Sequence, residues 1–477
     1  MKARILIPAL LTTLILSGCV QNKSTEASGD DQPNTYTMFN PLEGKVILMN
    51  LAPGHFHASL VQKTMYDAVD PRVYVFAPEG PEVQSYLNRI QDYNQREEDP
   101  TAWEEEVYTG EDFLDRMLSD KPGNVMVTAG NNARKTEYIM KAVDAGIHVL
   151  ADKPMVISPE NFSLLEKAFS AAAEKGVLLY DIMTERHEIT TKIQKELSRI
   201  EEIFGELQAG SLEEPAITKE SVHHFSKIVS GKQLVRPAWF FDTRQQGEGI
   251  VDVTTHLVDL VQWEAFPEVI LSKEDVEILS ASRWTTDLDP AMFEKVTSLP
   301  EFPDYLNNSV EDGILKVYSN GEINYKLKGI HAKVSVIWNF EAPPGTGDTH
   351  YSVMRGSKCK LIIRQGEEEG YRATLYIAAR DDLSAPLSEE DLFKHFYKNL
   401  APRYPGIVIK AVDEGKWRVD IPEEYKVGHE AHFGQVTELF LDYLASGRLP
   451  AWEIPNMIVK YYTTTEGMKK AMTSGEE

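Results

Sequence analysis

Ala142-Val143-Asp144-Ala145-Gly146-Ile147-His148-Val149-Leu150-Ala151-Asp152-Lys153-Pro154 reads as the end of a helix, a glycine cap, a short buried strand and a charged strand end closed by proline. Gly146 suits the left-handed C′ position because it has no Cβ to clash there. The near-continuous apolar run after it is that of a strand covered on both faces. The same unit repeats outward. Strands are predicted at 45–50, 72–77, 105–108, 124–129, 148–152 and 177–183, with helices at 57–70, 81–96, 111–119, 133–145 and 159–175. Gly176 is a second helix-closing glycine. Such alternation implies βαβ units and a parallel sheet. The expected class is α/β, with a Rossmann doubly wound parallel sheet over residues 43–186.

Beyond residue 187 the runs 332–340, 349–354 and 359–363 are β-rich, with turns expected at Ser319-Asn320-Gly321 and Pro343-Pro344-Gly345. Helical patterns at 430–446 and 454–473 close the chain. Residues 187–477 are therefore expected to form an α+β domain on a large open, mainly antiparallel sheet, serving substrate binding and oligomerisation. Within it lies Gly247-Glu248-Gly249-Ile250-Val251-Asp252-Val253-Thr254-Thr255-His256-Leu257-Val258-Asp259. Asp252, His256 and Asp259 stand at i, i+4 and i+7, one face of a helix, with Trp263 a turn further on. Unpaired buried polar groups cost about 1–3 kcal/mol each, so this stripe needs partners or a purpose. Lys153 can meet it, and carboxylate, imidazole and ammonium together make a proton-transfer site.

The 477 residues carry a formal net charge of −25, which argues against nucleic acid as a partner. Met1-Lys2-Ala3-Arg4 is a basic n-region, residues 5–16 are apolar, and Leu16-Ser17-Gly18-Cys19 is a small-residue cleavage site. The apolar run is too short for a permanent span and reads as a secretory signal. Its end resembles the lipobox of bacterial lipoproteins, which implies a signal over 1–19, a lipidated Cys19 and a polar tether over 20–42. Membrane contact would then be through the lipid anchor alone, in the bacterial cell envelope, facing the periplasm or the cell surface. Cys359, the other cysteine, is expected to be structural.

The first βα turn, where a pyrophosphate would sit, reads Asn50-Leu51-Ala52-Pro53-Gly54-His55-Phe56-His57-Ala58. Gly54 alone survives of a G-x-G-x-x-G pattern, with Ala58 a substitute for its third glycine. Glu79 ends the second strand, where a ribose can be bound, and Asn131 and Asn132 follow the fourth, where they either contact a cofactor or cap the next helix. Arg186 and His187 after the last strand, with Trp239 before the second motif, are candidates for lining a substrate cleft. His223-His224 resembles a metal pair only superficially, because adjacent side chains diverge, and no metal site is expected.

The two quoted motifs resemble the E-K-P segment, with Asp152 for Glu, and the G-G-G-x-x-x-D-x-x-x-H-x-x-D helix of the Gfo/Idh/MocA oxidoreductases. The resemblance spans roughly residues 43–475. It implies NAD or NADP, often tightly held, contacted by Gly54, His55, Phe56, His57, Glu79, Asn131, Asn132, Asp152, Lys153 and Pro154. Lys153 would be the catalytic lysine, Asp252 its polar partner and His256 the acid/base, with Arg186, His187, Trp239 and Asp259 toward a carbohydrate substrate. The expected activity is an exported dehydrogenase of a sugar or glycoside hydroxyl, at the 3-position in one version, giving a keto-sugar. Alternatives are an NAD-dependent glycosidase working by oxidation, elimination and reduction, and a non-catalytic carbohydrate-binding lipoprotein. A homo-oligomer is the expected assembly.

Overall fold

The computed structural model describes residues 35–229, 232–380 and 387–474, so the signal, Cys19 and most of the tether lie outside the described residues. No helix among the described residues is long and apolar enough to cross a membrane. Strands β1 (Leu48–Leu51), β2 (Arg72–Ala77), β3 (Glu104–Thr109), β4 (Val125–Thr128), β5 (His148–Asp152) and β6 (Leu179–Ile182) form one parallel sheet in the order β3-β2-β1-β4-β5-β6. All pairs are parallel, and β1, β4, β5 and β6 are buried throughout, as their apolar sequences require. The order reverses between β1 and β4, so their carboxyl ends open a crevice at the switch point.

Helices α1 (His57–Leu60), α2 (Pro81–Gln95), α3 (Phe113–Asp120), α4 (Lys135–Asp144) and α5 (Pro159–Lys175) connect the strands. Gly146 and Gly176 take φ of 77° and 66°, as expected of helix-closing glycines. The exception is α1, which spans four residues where 57–70 was expected. Its continuation is captured by other groups: the Trp103 indole donates to the Gln62 carbonyl at 2.6 Å, and Arg96 donates to that of Lys63 at 2.8 Å. The Gln62 side chain joins a buried network with Asn50, Tyr86 and Glu105.

The second part is built on β7 (Ile217–Ser226), β8 (Val276–Leu288), β9 (Ile314–Leu327), β10 (Ile330–Glu341), β11 (Thr349–Arg355), β12 (Cys359–Arg364), β13 (Thr374–Ala379), β14 (Val408–Asp413) and β15 (Lys416–Asp420). Among the described residues they run β8-β9-β10-β7-β11-β12-β13-β15-β14 in a sheet that is antiparallel except for the pair β10-β7. Cys359 is fully buried on β12, and burial raises its thiol to about 12, which suits packing rather than reactivity. Ser319-Asn320-Gly321 is not the expected turn but the middle of β9: a Cβ on Gly321 would lie 2.5 Å from the Cβ of Ile250, so the glycine admits a neighbouring segment instead of bending the strand. Pro343-Pro344-Gly345 does connect β10 to β11.

Helices α6 (Ile189–Ser198) and α7 (Thr254–Ala265) cover this sheet. The last helices, α8 (His429–Ser446) and α9 (Glu453–Ser474), pack back on the first sheet: Phe433, Val436, Phe440, Leu444, Met457 and Tyr461 belong to its apolar core. Val459, Met468 and Ala471 of α9 also join the core under the second sheet, so this helix fastens the two parts together. The strands of the first sheet precede residue 186 and those of the second follow it, while α8 and α9 complete the core of the first.

Candidate active site

The strand end at β5 presents two charges in succession. The carboxylate of Asp152 lies 2.9 Å from Nδ1 of His57 and 4.0 Å from Nδ1 of His55. Next along the chain, Lys153 donates from Nζ to Oδ1 of Asp252 at 2.5 Å, both side chains being nearly buried. Gln246 donates to the other oxygen of Asp252 at 3.0 Å. These residues, with Gly130 and Asn132, line a narrow crevice of about 20 Å³. The first motif and the second are therefore joined by an ion pair at the carboxyl edge of the parallel sheet.

Asp252 sits in the turn leading into α7, and His256 on the helix itself. Nδ1 of His256 is buried without a hydrogen-bond partner. Burial first, then the charges of Lys153 and His429, hold its imidazole well below the usual range, so it is neutral near pH 7. His429, at the start of α8, places Nε2 3.5 Å from Nε2 of His57 and Nδ1 3.7 Å from Glu185. Burial, with the nearby Glu188 charge, raises Glu185 to about 7.

Three of the expected positions behave differently. Arg186 and Asp259 are not among the residues lining the crevice: Arg186 makes a two-bonded pair with Asp259 at 2.6 and 2.7 Å and pairs with Glu453 at 3.0 Å. Lys460 reaches Asp259 at 3.0 Å and Asp181 at 2.7 Å. Burial alone would raise Asp259, but Arg186 and Lys460 outweigh it and keep the carboxyl ionised. This network ties β6, α7 and α9 together, a structural use of charges that have no water around them. Trp239 is packed rather than presented as a platform, with Cζ2 only 3.4 Å from where a Cβ on Gly54 would be.

Asn131 and Asn132 do not cap α4, whose N-cap is Arg134. They hold the second part instead: Asn131 donates to the Gln245 side chain at 2.6 Å, and Asn132 donates from its backbone and side chain to the carbonyls of Gln245 and Gln246 at 2.8 and 2.7 Å. His187 is half-buried, and Glu79 is exposed at the end of β2.

His223 and His224, set aside as a metal pair, belong to a second cluster whose charges reach the crevice histidines. Asp348, before β11, lies 3.3 Å from His223, 3.2 Å from His224 and 2.6 Å from Lys227. Trp338 stacks on His223 with ring centres 4.9 Å apart, and Arg236 lies over the Trp338 ring. The Lys227 charge is felt at His57 and that of Arg236 at His55. Gln246 was passed over by the sequence reading, although it immediately precedes the second motif.

Two family descriptions match the chain: "Oxidoreductase family, NAD-binding Rossmann fold" over residues 82–181, and "Putative oxidoreductase C terminal domain" over residues 193–472. A crystal structure described as a "putative oxidoreductase" from Parabacteroides merdae ATCC 43184 is 55% identical, with a TM-score of 0.89, covering 92% of this chain and 100% of that one. The chain belongs to the Gfo/Idh/MocA oxidoreductase family. The fold of this family recurs in a levoglucosan dehydrogenase solved with NADH and levoglucosan (12% identity, TM-score 0.56, 90% of this chain and 98% of that one). It recurs also in a 3-ketoreductase from Actinomadura kijaniata solved with NADP and TDP-benzene (13% identity, TM-score 0.52, 89% and 96%). No curated protein matches the chain.

A dinucleotide fits this family member at its two ends. Asn132 has a buried Oδ1 without a partner beside Lys153, as an amide group would require, and Glu79 is free to accept from a ribose. Gly54 has no side chain between Trp239 and Gly130, where a backbone must approach closely. The turn between them is less favourable than the family's usual loop. Ala52 takes φ of 47° where a glycine would be relaxed, and α1 is a single turn, so its dipole contributes little toward an anion.

Proposed function

We propose that the protein is an exported, lipid-anchored dehydrogenase that oxidises a hydroxyl of a sugar or glycoside, with NAD(H) or NADP(H) held at the carboxyl edge of the first sheet. The observation that carries this reading is the Lys153–Asp252 pair, which sets an ammonium and a neutral imidazole-bearing helix against the edge where the family binds nicotinamide. When bound, the nicotinamide supplies the two-electron acceptor. Lys153 donates a hydrogen bond to the carbinol oxygen and steadies the negative charge that grows there. Asp252, itself anchored by Gln246, keeps that ammonium aimed. His256, its imidazole neutral near pH 7, takes the hydroxyl proton. His223 and Asp348, both half-buried, provide hydrogen-bonding groups suited to a carbohydrate. The hydrogen bonds from Asn131 and Asn132 across to Gln245 and Gln246 favour a cofactor that is retained rather than exchanged.

The test is direct. Purified protein, once denatured, should release dinucleotide, and the native protein should convert a glycoside to its keto form. Protein that neither carries a dinucleotide nor titrates with one sinks the reading. Glycoside cleavage without net NADH would transfer it to hydrolysis by oxidation, elimination and reduction. Replacing Cys19 by Ser should move the protein from the membrane fraction to the soluble one.

A further inference from the structure

We propose that His55, His57 and Asp152 bind one divalent transition-metal ion of the zinc class at the crevice, with its open position facing Lys153 and Asp252. One ligand atom from each of the three residues lies within 4.8 Å of the others. With metal–nitrogen and metal–oxygen bonds of about 2.0–2.2 Å, two ligands on a tetrahedral ion are roughly 3.3 Å apart. The distances from Asp152 to His57 and to His55, 2.9 and 4.0 Å, bracket that value, so small rotations close the site. Nδ1 of His55 accepts from the backbone N–H of His57 at 3.3 Å and is therefore unprotonated, and a metal would take its lone pair in place of this long hydrogen bond.

The surroundings have the character of a supporting shell. A metal-bound imidazole is normally oriented by a hydrogen bond from its other nitrogen. Nε2 of His57 has such a partner in His429, which is in turn backed by Glu185. Lys135, fully buried, donates to the main-chain carbonyl of Asp152 at 2.9 Å and fixes the strand end. Two imidazoles and one carboxylate leave coordination positions open, the donor set of a site that takes a further ligand rather than a closed structural one. The crevice lined by the same three residues also contains Lys153 and Asp252, so a hydroxyl or carbonyl oxygen bound there would meet the ammonium as well.

The inference goes beyond the proposed dehydrogenation and is tested without a dinucleotide. Full-length protein freed of metal with a chelator is titrated with Co²⁺, and its visible spectrum and stoichiometry are recorded. One equivalent per chain, with the strong absorption of a four-coordinate nitrogen–oxygen site, is expected, and Zn²⁺ should displace it. His57→Gln and Asp152→Asn should each weaken binding at least tenfold, and His55→Gln provides a third variant if either misfolds. His395→Gln, on the helix Glu389–Asn399, should leave the spectrum unchanged. Absence of stoichiometric uptake overturns the proposal, and so does uptake indifferent to all three ligand substitutions.

Discussion

Lys153 and Asp252 are 99 residues apart in the chain and 2.5 Å apart in space, one at the end of a parallel strand and the other at the mouth of a helix in the second part. Lys153→Ala should lower kcat/KM by about 10²–10⁴, the usual scale for a group that stabilises developing charge or handles a proton. Asp252→Asn keeps the shape and should cost less, through a misdirected ammonium. Steady-state kinetics with circular dichroism as a fold control checks both; full activity in each would remove the site from catalysis.

The pH profile follows from His256. Its imidazole is depressed by burial and by Lys153, so protonation, which would abolish a proton acceptor, comes at a lower pH than for a free histidine. The acid limb of kcat/KM should therefore lie at a lower pH than a free histidine would give, and His256→Gln should remove it along with most turnover.

Gly54→Ala separates binding from folding. The added methyl meets Trp239 and Gly130 at ordinary contact distances of 3.4 and 3.5 Å, so thermal unfolding should barely change. Dinucleotide affinity should drop by at least tenfold if a pyrophosphate approaches that backbone. Calorimetric titration reads it.

Asp259→Asn leaves Arg186 and Lys460 without the carboxylate that balances them. Breaking one partner of a buried charge network costs about 3–5 kcal/mol, so denaturant unfolding should shift by that order. A loss of substrate affinity without a stability change would restore Asp259 to the substrate site.

Glu105 has a stability signature of its own. Burial raises its carboxyl from 4.5 to about 7, so the folded state holds a proton that the unfolded state has released. Its contribution therefore weakens as pH rises from about 4.5 to 7. Glu105→Gln, which can still meet Gln62 and Tyr86, should stabilise the protein by about 1–3 kcal/mol above pH 7 and flatten that slope.

Five strands of the first sheet were legible as short apolar runs, whereas β3, Glu104–Thr109, is a mostly exposed edge strand with only Val107 and Tyr108 to mark it. The end of α1 was not legible, because it is set by carbonyl capture from Trp103 and Arg96, 41 and 33 residues downstream. Lys153, Asp252 and His256 stood out as polar groups in apolar settings. Arg186 and Asp259 stood out for the same reason, and local pattern has no means of telling a charge that awaits a ligand from one already answered by Glu453 or Lys460. His57 and Asp152, 95 residues apart, belong together only once β1 and β5 share a sheet edge.

Helices α8 and α9 come last in the chain yet fill the hydrophobic interior of its earliest sheet. Synthesis from the amino end consequently yields a Rossmann half that stays open until the final residues emerge. Each fully buried phenylalanine or leucine contributes roughly 1.5–3 kcal/mol, so a nascent chain stopped before residue 429 would expose a sticky seam. Such a chain remains unfinished until its very end, which would suit the export proposed above.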